Sequence, residues 1–289
     1  MLKKIDLHIH STFSDGTNSV DELFQIALQK EIDTISITDH DSISSYQEAI
    51  VCSEKYGVSY LPGIELSTDF EGKEIHILGY GIDPDDQPLH HHLDQFIQSR
   101  TLRNHEMIAL LNSHGFQIAY SELEAMFPNS ILTRAHIARY LVQTKQLSSI
   151  QKAFRYIQDD GPCYVSRERF PAQDAIKLLH DAKGIAVVAH PTLYHLNQKG
   201  YEHLFSTLKE ADLDGLEGIY STYSVSEINL MKQYSEKYQL VRSGGTDYHG
   251  DNKPYIHMGN GRGQLFIPSS ILDALNKQIR FRKETSELL

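Results

Sequence analysis

The sequence has few cysteines, no long apolar run and no excess of basic charge, and each shortage excludes a class of protein. Cys52 and Cys163 are the only cysteines, and neither has a CxxC neighbour, so we expect neither a disulfide framework nor a thiolate metal site. No stretch approaches the roughly 20 apolar residues of a membrane span. The first residues turn polar before a signal peptide could form, so we expect a cytoplasmic protein with no membrane partner.

The acidic charge balance restricts how the protein could meet nucleic acid. Its 38 acidic and 27 basic residues give a formal net charge of −11, whereas a protein that neutralises the phosphates of a duplex needs a basic face. Binding along an extended duplex is therefore not expected. A small-molecule nucleotide or the end of a short single-stranded RNA is still compatible with this charge, because metal ions in a pocket supply positive charge.

Short apolar runs alternate with amphipathic segments, which is typical of repeated βα units in the α/β class. Ser19 and Glu22 have the spacing of a capping box before a first helix, and Gly57 is placed to end a helix over 43–56. Two more helices are predicted over 201–211 and 225–237. Seven strands are predicted, and we expect all of them to be parallel: 4–8, 33–38, 58–66, 74–82, 185–189, 216–220 and 240–244.

About a hundred residues between the fourth and fifth predicted strands look helical throughout. This connection is too long for a βα loop. We therefore predict that residues 83–184 form an inserted helical subdomain that binds substrate, while residues 1–82 and 185–289 form the main body. The insertion holds seven of the eleven arginines in the chain, and residues 1–82 hold none.

Histidine and carboxylate side chains recur where the predicted strands end. Both are ligands for zinc, manganese and iron, and the carboxyl ends of barrel strands form one face. A single histidine at a strand end is more often structural, but that explanation does not suit nine such residues at successive strand ends. The sequence therefore predicts a cluster of divalent metals with these ligands: His8, His10, Asp15, His40, Glu65, His76, His190, Asp247 and His249.

A few further side chains are candidates for contact with substrate or ligands. Arg134 begins a predicted helix and could bind a second phosphate through its planar guanidinium and the helix N-terminus. Arg167 is the next candidate for this role. His195 could protonate the leaving oxygen; a surface position is the alternative for each of the three. Asp39 and Asp41 are expected to orient metal ligands or cap the turn.

The chain resembles the PHP (polymerase and histidinol phosphatase) superfamily in segments that occur in the same order: HIH (8–10), SDGT (14–17), TDHD (38–41), PGIE (62–65), AHP (189–191) and TDYH (246–249). The resemblance covers essentially the whole chain. It implies a distorted (β/α)7 barrel, formed by residues 1–82 and 185–289, which carries two or three divalent ions (Mn²⁺, Zn²⁺ or Fe²⁺).

The resemblance also implies how the ligands divide among three ions. The implied groups are His8, His10, Glu65 and Asp247; Asp15, His40 and His249; and Glu65, His76 and His190. Asp15, His40 and Glu65 are at the same time the predicted catalytic residues, together with His195.

One branch of the superfamily is especially similar to this chain. The long helical insertion and the segment TRAHIAR (133–139) resemble enzymes that remove the 3′-phosphate from nucleoside 3′,5′-bisphosphates and trim short RNA from its 5′ end. The implied reaction is attack on phosphorus by a metal-bound hydroxide, which forms near neutral pH because metals lower the pKa of water from 15.7 to about 7. Two alternatives stay open: a phosphatase for a small phosphomonoester such as histidinol phosphate, and a non-catalytic PHP binding module.

Overall fold

The computed structural model describes residues 3–166 and 170–286, in which nine strands and ten helices occur. The strands are β1 (Lys4–Ile9), β2 (Ile32–Ile37), β3 (Ser59–Tyr60), β4 (Gly63–Phe70), β5 (Lys73–Tyr80), β6 (Phe170–Pro171), β7 (Ile185–Val188), β8 (Gly215–Tyr220) and β9 (Val241–Gly245). The candidate Arg167 lies outside the described residues.

The helices alternate with the strands along most of the chain. They are α1 (Val20–Gln29), α2 (Tyr46–Tyr56), α3 (Gln87–Ser113), α4 (Tyr120–Met126), α5 (Arg134–Gln143), α6 (Ile150–Ile157), α7 (Ala172–Asp181), α8 (Gln198–Glu210), α9 (Val225–Lys237) and α10 (Ser270–Ser286). Short 3₁₀ turns occupy Pro191–Tyr194 and Gly250–Asn252. Within the described part of the chain, no helix is both long enough and apolar enough to cross a membrane.

Seven of the strands form a distorted barrel. The sheets β1-β2-β3 and β6-β4-β5-β7-β8-β9 are joined by backbone hydrogen bonds at two places. The N–H of Asp247 donates to the carbonyl of His8 (2.7 Å), and the N–H of Asp41 donates to the carbonyl of Glu65 (2.9 Å). These bonds link β9 to β1 and β2 to β4, so the ring is β1-β2-β4-β5-β7-β8-β9. The predicted (β/α)7 barrel is confirmed.

The prediction that all strands are parallel is wrong for β5, which runs antiparallel to both β4 and β7. Glu71 and Gly72 form the two-residue loop between β4 and β5, with φ of 53° and 83°. Two positive φ angles are typical of a type I′ turn, which joins antiparallel strands, whereas a parallel connection needs a dozen or more residues. The reversal brings the beginning of β5, with His76, to the rim where most other barrel strands end.

The third predicted strand, 58–66, is divided in the structure between β3 and β4. Glu65 is therefore the third residue of β4. The sequence-based prediction that it ends a strand is wrong. Gly63 begins β4 where an added Cβ would lie 2.2 Å from the Ser36 hydroxyl oxygen. The absence of a side chain at this glycine lets β4 approach β2 closely, which keeps Glu65 at the rim.

The predicted helix signals in the barrel are confirmed. Ser19 and Glu22 form a capping box at the start of α1, and Gly57 ends α2 in the left-handed conformation with φ of 67°. The predicted helix 225–237 matches α9 in full. These ends agree because each depends on one or two local side chains.

The helical insertion has a hydrophobic cluster of its own. Buried apolar side chains between Met107 and Cys163 pack together there. In contrast, Leu89, Leu93 and the apolar face of α7 belong to the barrel cluster. The subdomain limits at 83 and 184 stay a prediction; the apolar packing separates a shorter segment, from the middle of α3 to the end of α6 and just beyond.

Asp214 fixes the last helix to the barrel. Its fully buried carboxylate accepts hydrogen bonds from Nε2 of His180 (2.7 Å), Nη2 of Arg282 (2.7 Å) and Nε2 of Gln278 (2.8 Å), and from the N–H of Ala186 (2.9 Å). Burial raises the pKa of Asp214, but its donors, His180 first, outweigh burial and lower the pKa below its ordinary value. The ionised carboxylate thus connects α7, β7 and α10.

We predict that Asp214→Ala lowers the free energy of unfolding by about 3 kcal/mol, because it leaves several buried donors without an acceptor. Urea unfolding followed by circular dichroism measures this loss. Asp212→Ala is the matched control: its side chain is 63% exposed and pairs with the same Arg282, so the expected loss is about 0–1 kcal/mol. Equal losses in the two variants would contradict the anchoring role of Asp214.

Candidate metal centre

All nine predicted ligands meet at one rim of the barrel. Three groups have ligand atoms within 4.8 Å of one another: His8, His10, Glu65 and Asp247; His10, Asp15, His40 and His249; and His40, Glu65 and His76. His190 completes the set, with its Nε2 3.0 Å from Oε1 of Glu65. The first group is identical to one that the family resemblance implies. The second group is the implied group with His10 added, and the third has His40 in the place of His190.

Six of the seven barrel strands supply these ligands. His8 lies on β1 and His10 directly after it, two residues apart and therefore on the same side of the chain. Five more positions follow along the chain: Asp15 in the loop after β1, His40 after β2, Glu65 on β4, His76 on β5 and His190 after β7. Asp247 and His249 follow β9. The rim therefore collects side chains from positions far apart in sequence.

Several buried ligand atoms have no hydrogen-bond partner among the described residues. They are Nε2 of His8, Nε2 of His10, Oδ1 of Asp15, Nδ1 of His40, Oε2 of Glu65 and Nδ1 of His190. Leaving one buried polar atom unpaired costs roughly 1–3 kcal/mol, so a cluster of them needs a compensating partner. Imidazole nitrogen and carboxylate oxygen are donors that divalent transition metals prefer. The residues present thus fit a centre with more than one metal ion.

Glu65 lies at the middle of the cluster. Its Oε2 atom is 3.2 Å from Nε2 of His8, Nε2 of His10 and Nδ1 of His40, without the alignment of a hydrogen bond. Its Oε1 atom is 2.9 Å from Nδ1 of His76. Burial raises the pKa of Glu65, but the surrounding histidines, His40 first, outweigh burial and hold the pKa well below its ordinary value. The carboxylate is ionised and faces several imidazole nitrogens at once.

The pKa values of the histidines are shifted in different directions. Burial lowers the pKa of His40 to about 3, although the neighbouring carboxylates of Glu65 and Asp15 oppose this shift. Burial also lowers the pKa of His10, but the close carboxylates of Asp247 and Glu65 outweigh it and raise the pKa to about 9. A metal ligand must be unprotonated. Binding of a cation by His10 would therefore release a proton.

Glu217 on β8 supports the cluster and was missed in the sequence. It is fully buried, its Oε1 lies 3.1 Å from Nδ1 of His8, and its Oε2 accepts the N–H of His190 at 2.7 Å. A carboxylate in this position favours a proton on Nδ1 of His8, so that Nε2 is the nitrogen directed at the cluster and the one that can bind a cation. The available signal was an acidic residue inside an otherwise apolar predicted strand.

Asp39 and Asp41 have different partners. Asp39 accepts hydrogen bonds from the Ser11 N–H (2.8 Å) and from the hydroxyls of Ser11 and Ser14 (2.6 Å each). It therefore holds the loop that carries the candidate ligand Asp15. Asp41 pairs with the buried guanidinium of Arg100 on α3. This ion pair ties the insertion to the barrel next to the metal cluster.

A cavity of about 340 Å³ lies over the cluster, between the barrel rim and the insertion. His40, His76 and His190 of the barrel line it, and so does Arg134 of the insertion. Nη1 of Arg134 donates to Oδ1 of Asp159 at 2.7 Å, and Asp159 is 65% exposed. The predicted phosphate-binding arginine thus faces the cavity. A larger cavity, of about 690 Å³, lies at the opposite end of the barrel, away from the ligands.

His195 does not line this cavity. It follows the 3₁₀ turn after β7 and is exposed. Hydrogen bonds with Ser224 lower the pKa of Glu227, and the nearby His195 adds a smaller effect in the same direction. The interpretation of His195 as the general acid has no support from its position and stays a prediction. Arg167 is not described in the structure, so its role also stays a prediction.

The sequence and the structure both match known proteins. The 5′-3′ exoribonuclease of Haemophilus influenzae is 33% identical over 254 residues, which cover 86% of this chain and 91% of that protein. The 3′,5′-nucleoside bisphosphate phosphatase of Chromobacterium violaceum is 29% identical over 250 residues, which cover 86% of this chain and 88% of that protein.

Similarity in three dimensions extends equally far. An amidohydrolase from Chromobacterium violaceum, solved with bound sulfate and no metal, superposes with a TM-score of 0.81 at 28% identity. The match covers 86% of this chain and 88% of that chain. A family model described as the PHP domain matches residues 6–262. With this match over most of its length and all nine expected ligands on one barrel rim, the chain belongs to the PHP domain family.

Proposed function

We propose that this protein is a metal-dependent phosphoesterase that removes the 3′-phosphate from nucleoside 3′,5′-bisphosphates and trims short RNA from its 5′ end. The observation that carries this proposal is the convergence of nine candidate ligand side chains beside a cavity that Arg134 also lines. The activities for which the two sequence relatives are named support the same substrate class. These substrates arise inside cells, which supports the predicted cytoplasmic location.

Two or three divalent ions (Mn²⁺, Zn²⁺ or Fe²⁺) would be held by the nine candidate ligands, and Glu65 could contribute both of its oxygens because both face imidazoles. When bound, such ions supply a nucleophile from water at neutral pH and neutralise charge on phosphoryl oxygens. Glu217 would keep His8 in the tautomer that leaves Nε2 free. Asp39 would hold the loop of Asp15 in place through Ser11 and Ser14.

Arg134 would bind the second phosphate of the substrate. Its guanidinium now contacts Asp159 and, at 3.4 Å, Oε2 of Glu74. Asp159 is mostly exposed, so its ion pair is weak and a phosphate dianion can replace it. A planar guanidinium binds phosphate through two parallel hydrogen bonds. A substrate with two phosphates would then span the distance between the metal ligands and the insertion.

The first test compares three substrates with the metal-loaded protein: a nucleoside 3′,5′-bisphosphate, a 5′-phosphorylated oligoribonucleotide and histidinol phosphate. We expect hydrolysis of the first two, loss of activity after EDTA treatment and recovery after Mn²⁺ is added back. Elemental analysis should find two or three divalent ions per chain. A clear preference for histidinol phosphate would reject the proposed substrate class, and no hydrolysis at full metal content would favour a binding module.

The second test concerns Arg134. Arg134→Ala should raise KM for the nucleoside bisphosphate about tenfold, because it removes a charge-assisted contact worth roughly 1.5–3 kcal/mol. Arg134→Lys should restore only part of the loss, since an ammonium cannot form two parallel bonds. Arg155→Ala is the control, because Arg155 is exposed on α6 and does not line the cavity. An unchanged KM in Arg134→Ala would remove this residue from the site.

The third test concerns Glu217. Glu217→Gln keeps the shape of the side chain but removes the charge behind His8, so metal affinity should fall about 10- to 100-fold. Competition with a chelator, followed by elemental analysis, measures this affinity without any enzyme assay. Glu236→Gln on the exposed face of α9 is the control. If Glu217→Gln retains wild-type metal affinity, Glu217 does not position the ligand.

A further inference from the structure

The cavity over the metal ligands has apolar lining residues that phosphate binding does not use. Leu193 and Phe154 both line it, together with the methyl group of Ala135. Leu193 is 41% exposed although it follows the ligand His190 by only three residues. Two large apolar side chains from separate parts of the fold thus face one cavity whose other walls are charged. An apolar surface kept open beside a polar site is typical of ligand recognition.

Leu193 is held in a fixed position. Its N–H donates to the carbonyl of His190 at 2.9 Å. The next residue, Tyr194, is buried, donates its hydroxyl to the carbonyl of Ala189 (2.8 Å) and accepts the N–H of His76 (2.9 Å). The turn after β7 is therefore tied to the neighbouring strand β5. Leu193 is presented to the cavity by a rigid support and loses little entropy when a ligand covers it.

Phe154 approaches the cavity from the insertion. Its helix α6 buries Ala153 and Ile157 in the hydrophobic cluster of the insertion, whereas Phe154 lies at the edge of that cluster and is half-buried. One part of its ring packs on the insertion and another part lines the cavity. Phe154 is the only phenylalanine among the described residues that line this cavity.

We propose that Phe154 and Leu193 form a nucleobase subsite, in which the base of the substrate packs between an aromatic ring and an aliphatic side chain. This inference rests on the proposed function and assigns the part of the substrate that the metals and Arg134 leave unbound. A nucleotide carries one flat, largely apolar group, and Phe154, Leu193 and Ala135 are the apolar residues among the described ones that line the cavity. Stacking on an aromatic ring is tolerant of base identity, and Phe154, Leu193 and Ala135 offer no side-chain hydrogen-bond donor or acceptor, so all four bases should bind.

The test compares binding of two product-like ligands to the metal-loaded protein by titration calorimetry. Adenosine 5′-monophosphate and ribose 5-phosphate carry the same phosphate, and only the first carries a base. We expect the first to bind at least tenfold more tightly, since stacking of one base contributes about a factor of 5 to 100. Equal affinity of the wild-type protein for the two ligands would overturn the inference.

Variants locate the effect. Phe154→Leu should remove most of the preference for the base and leave the affinity for ribose 5-phosphate unchanged, whereas Phe154→Tyr should keep the preference. Leu193→Ser should reduce the preference in the same direction. Tyr156→Leu is the matched control: Tyr156 lies on the same helix, but its ring packs against Phe116 in the insertion, 4.9 Å between centroids. A preference that survives in Phe154→Leu and Leu193→Ser would also overturn the inference.

The outcome of this test is separate from that of the proposed function. Hydrolysis of a nucleoside bisphosphate without a preference for the base would leave the phosphoesterase in place and reject the subsite. Preferential binding of the base-bearing ligand without hydrolysis of any phosphoester would support the subsite and reject the enzymatic activity.

Discussion

The site depends on one buried carboxylate. Glu65 is fully buried, and its two oxygens face five imidazoles that come from β1 and its end, the end of β2, β5 and the end of β7. A buried negative charge is costly unless opposite charges or metal ions compensate it. Glu65 can therefore be kept only if the strands that carry its partners stay in register. The register of the barrel strands at the rim and the compensation of the buried charge of Glu65 therefore depend on each other.

The fold was predictable where a local pattern determines it. The capping box of Ser19 and Glu22 and the left-handed Gly57 depend on neighbouring residues, and both appear as predicted. The direction of β5 was predicted wrongly, because the alternation of apolar residues is the same in parallel and antiparallel strands. The two-residue gap at Glu71 and Gly72 was the available signal, and it was hidden because the predicted strand ended at residue 66, four residues too early.

The convergence of the nine candidate ligands was predictable because eight of them occur in short segments at predicted strand ends and His76 lies in a predicted strand. Supporting residues were harder to find. Glu217 is a single acidic residue whose partner, His8, lies 209 positions away in sequence, and no local spacing relates the two. The pairing of Asp41 with Arg100 has the same character. His195 illustrates the opposite difficulty, because closeness in sequence to a ligand did not bring its side chain to the cavity.

The pairing of Asp41 with Arg100 has a consequence for any replacement of the insertion. Asp41 follows the ligand His40 directly, and Arg100 belongs to the first helix of the insertion. The insertion is thus bound to the barrel by an ion pair one residue from the candidate metal ligand His40. A chimera of this chain whose insertion lacks such a guanidinium would lose the cation that compensates the buried charge of Asp41 beside His40. Any replacement of the insertion therefore needs a cationic side chain at this place.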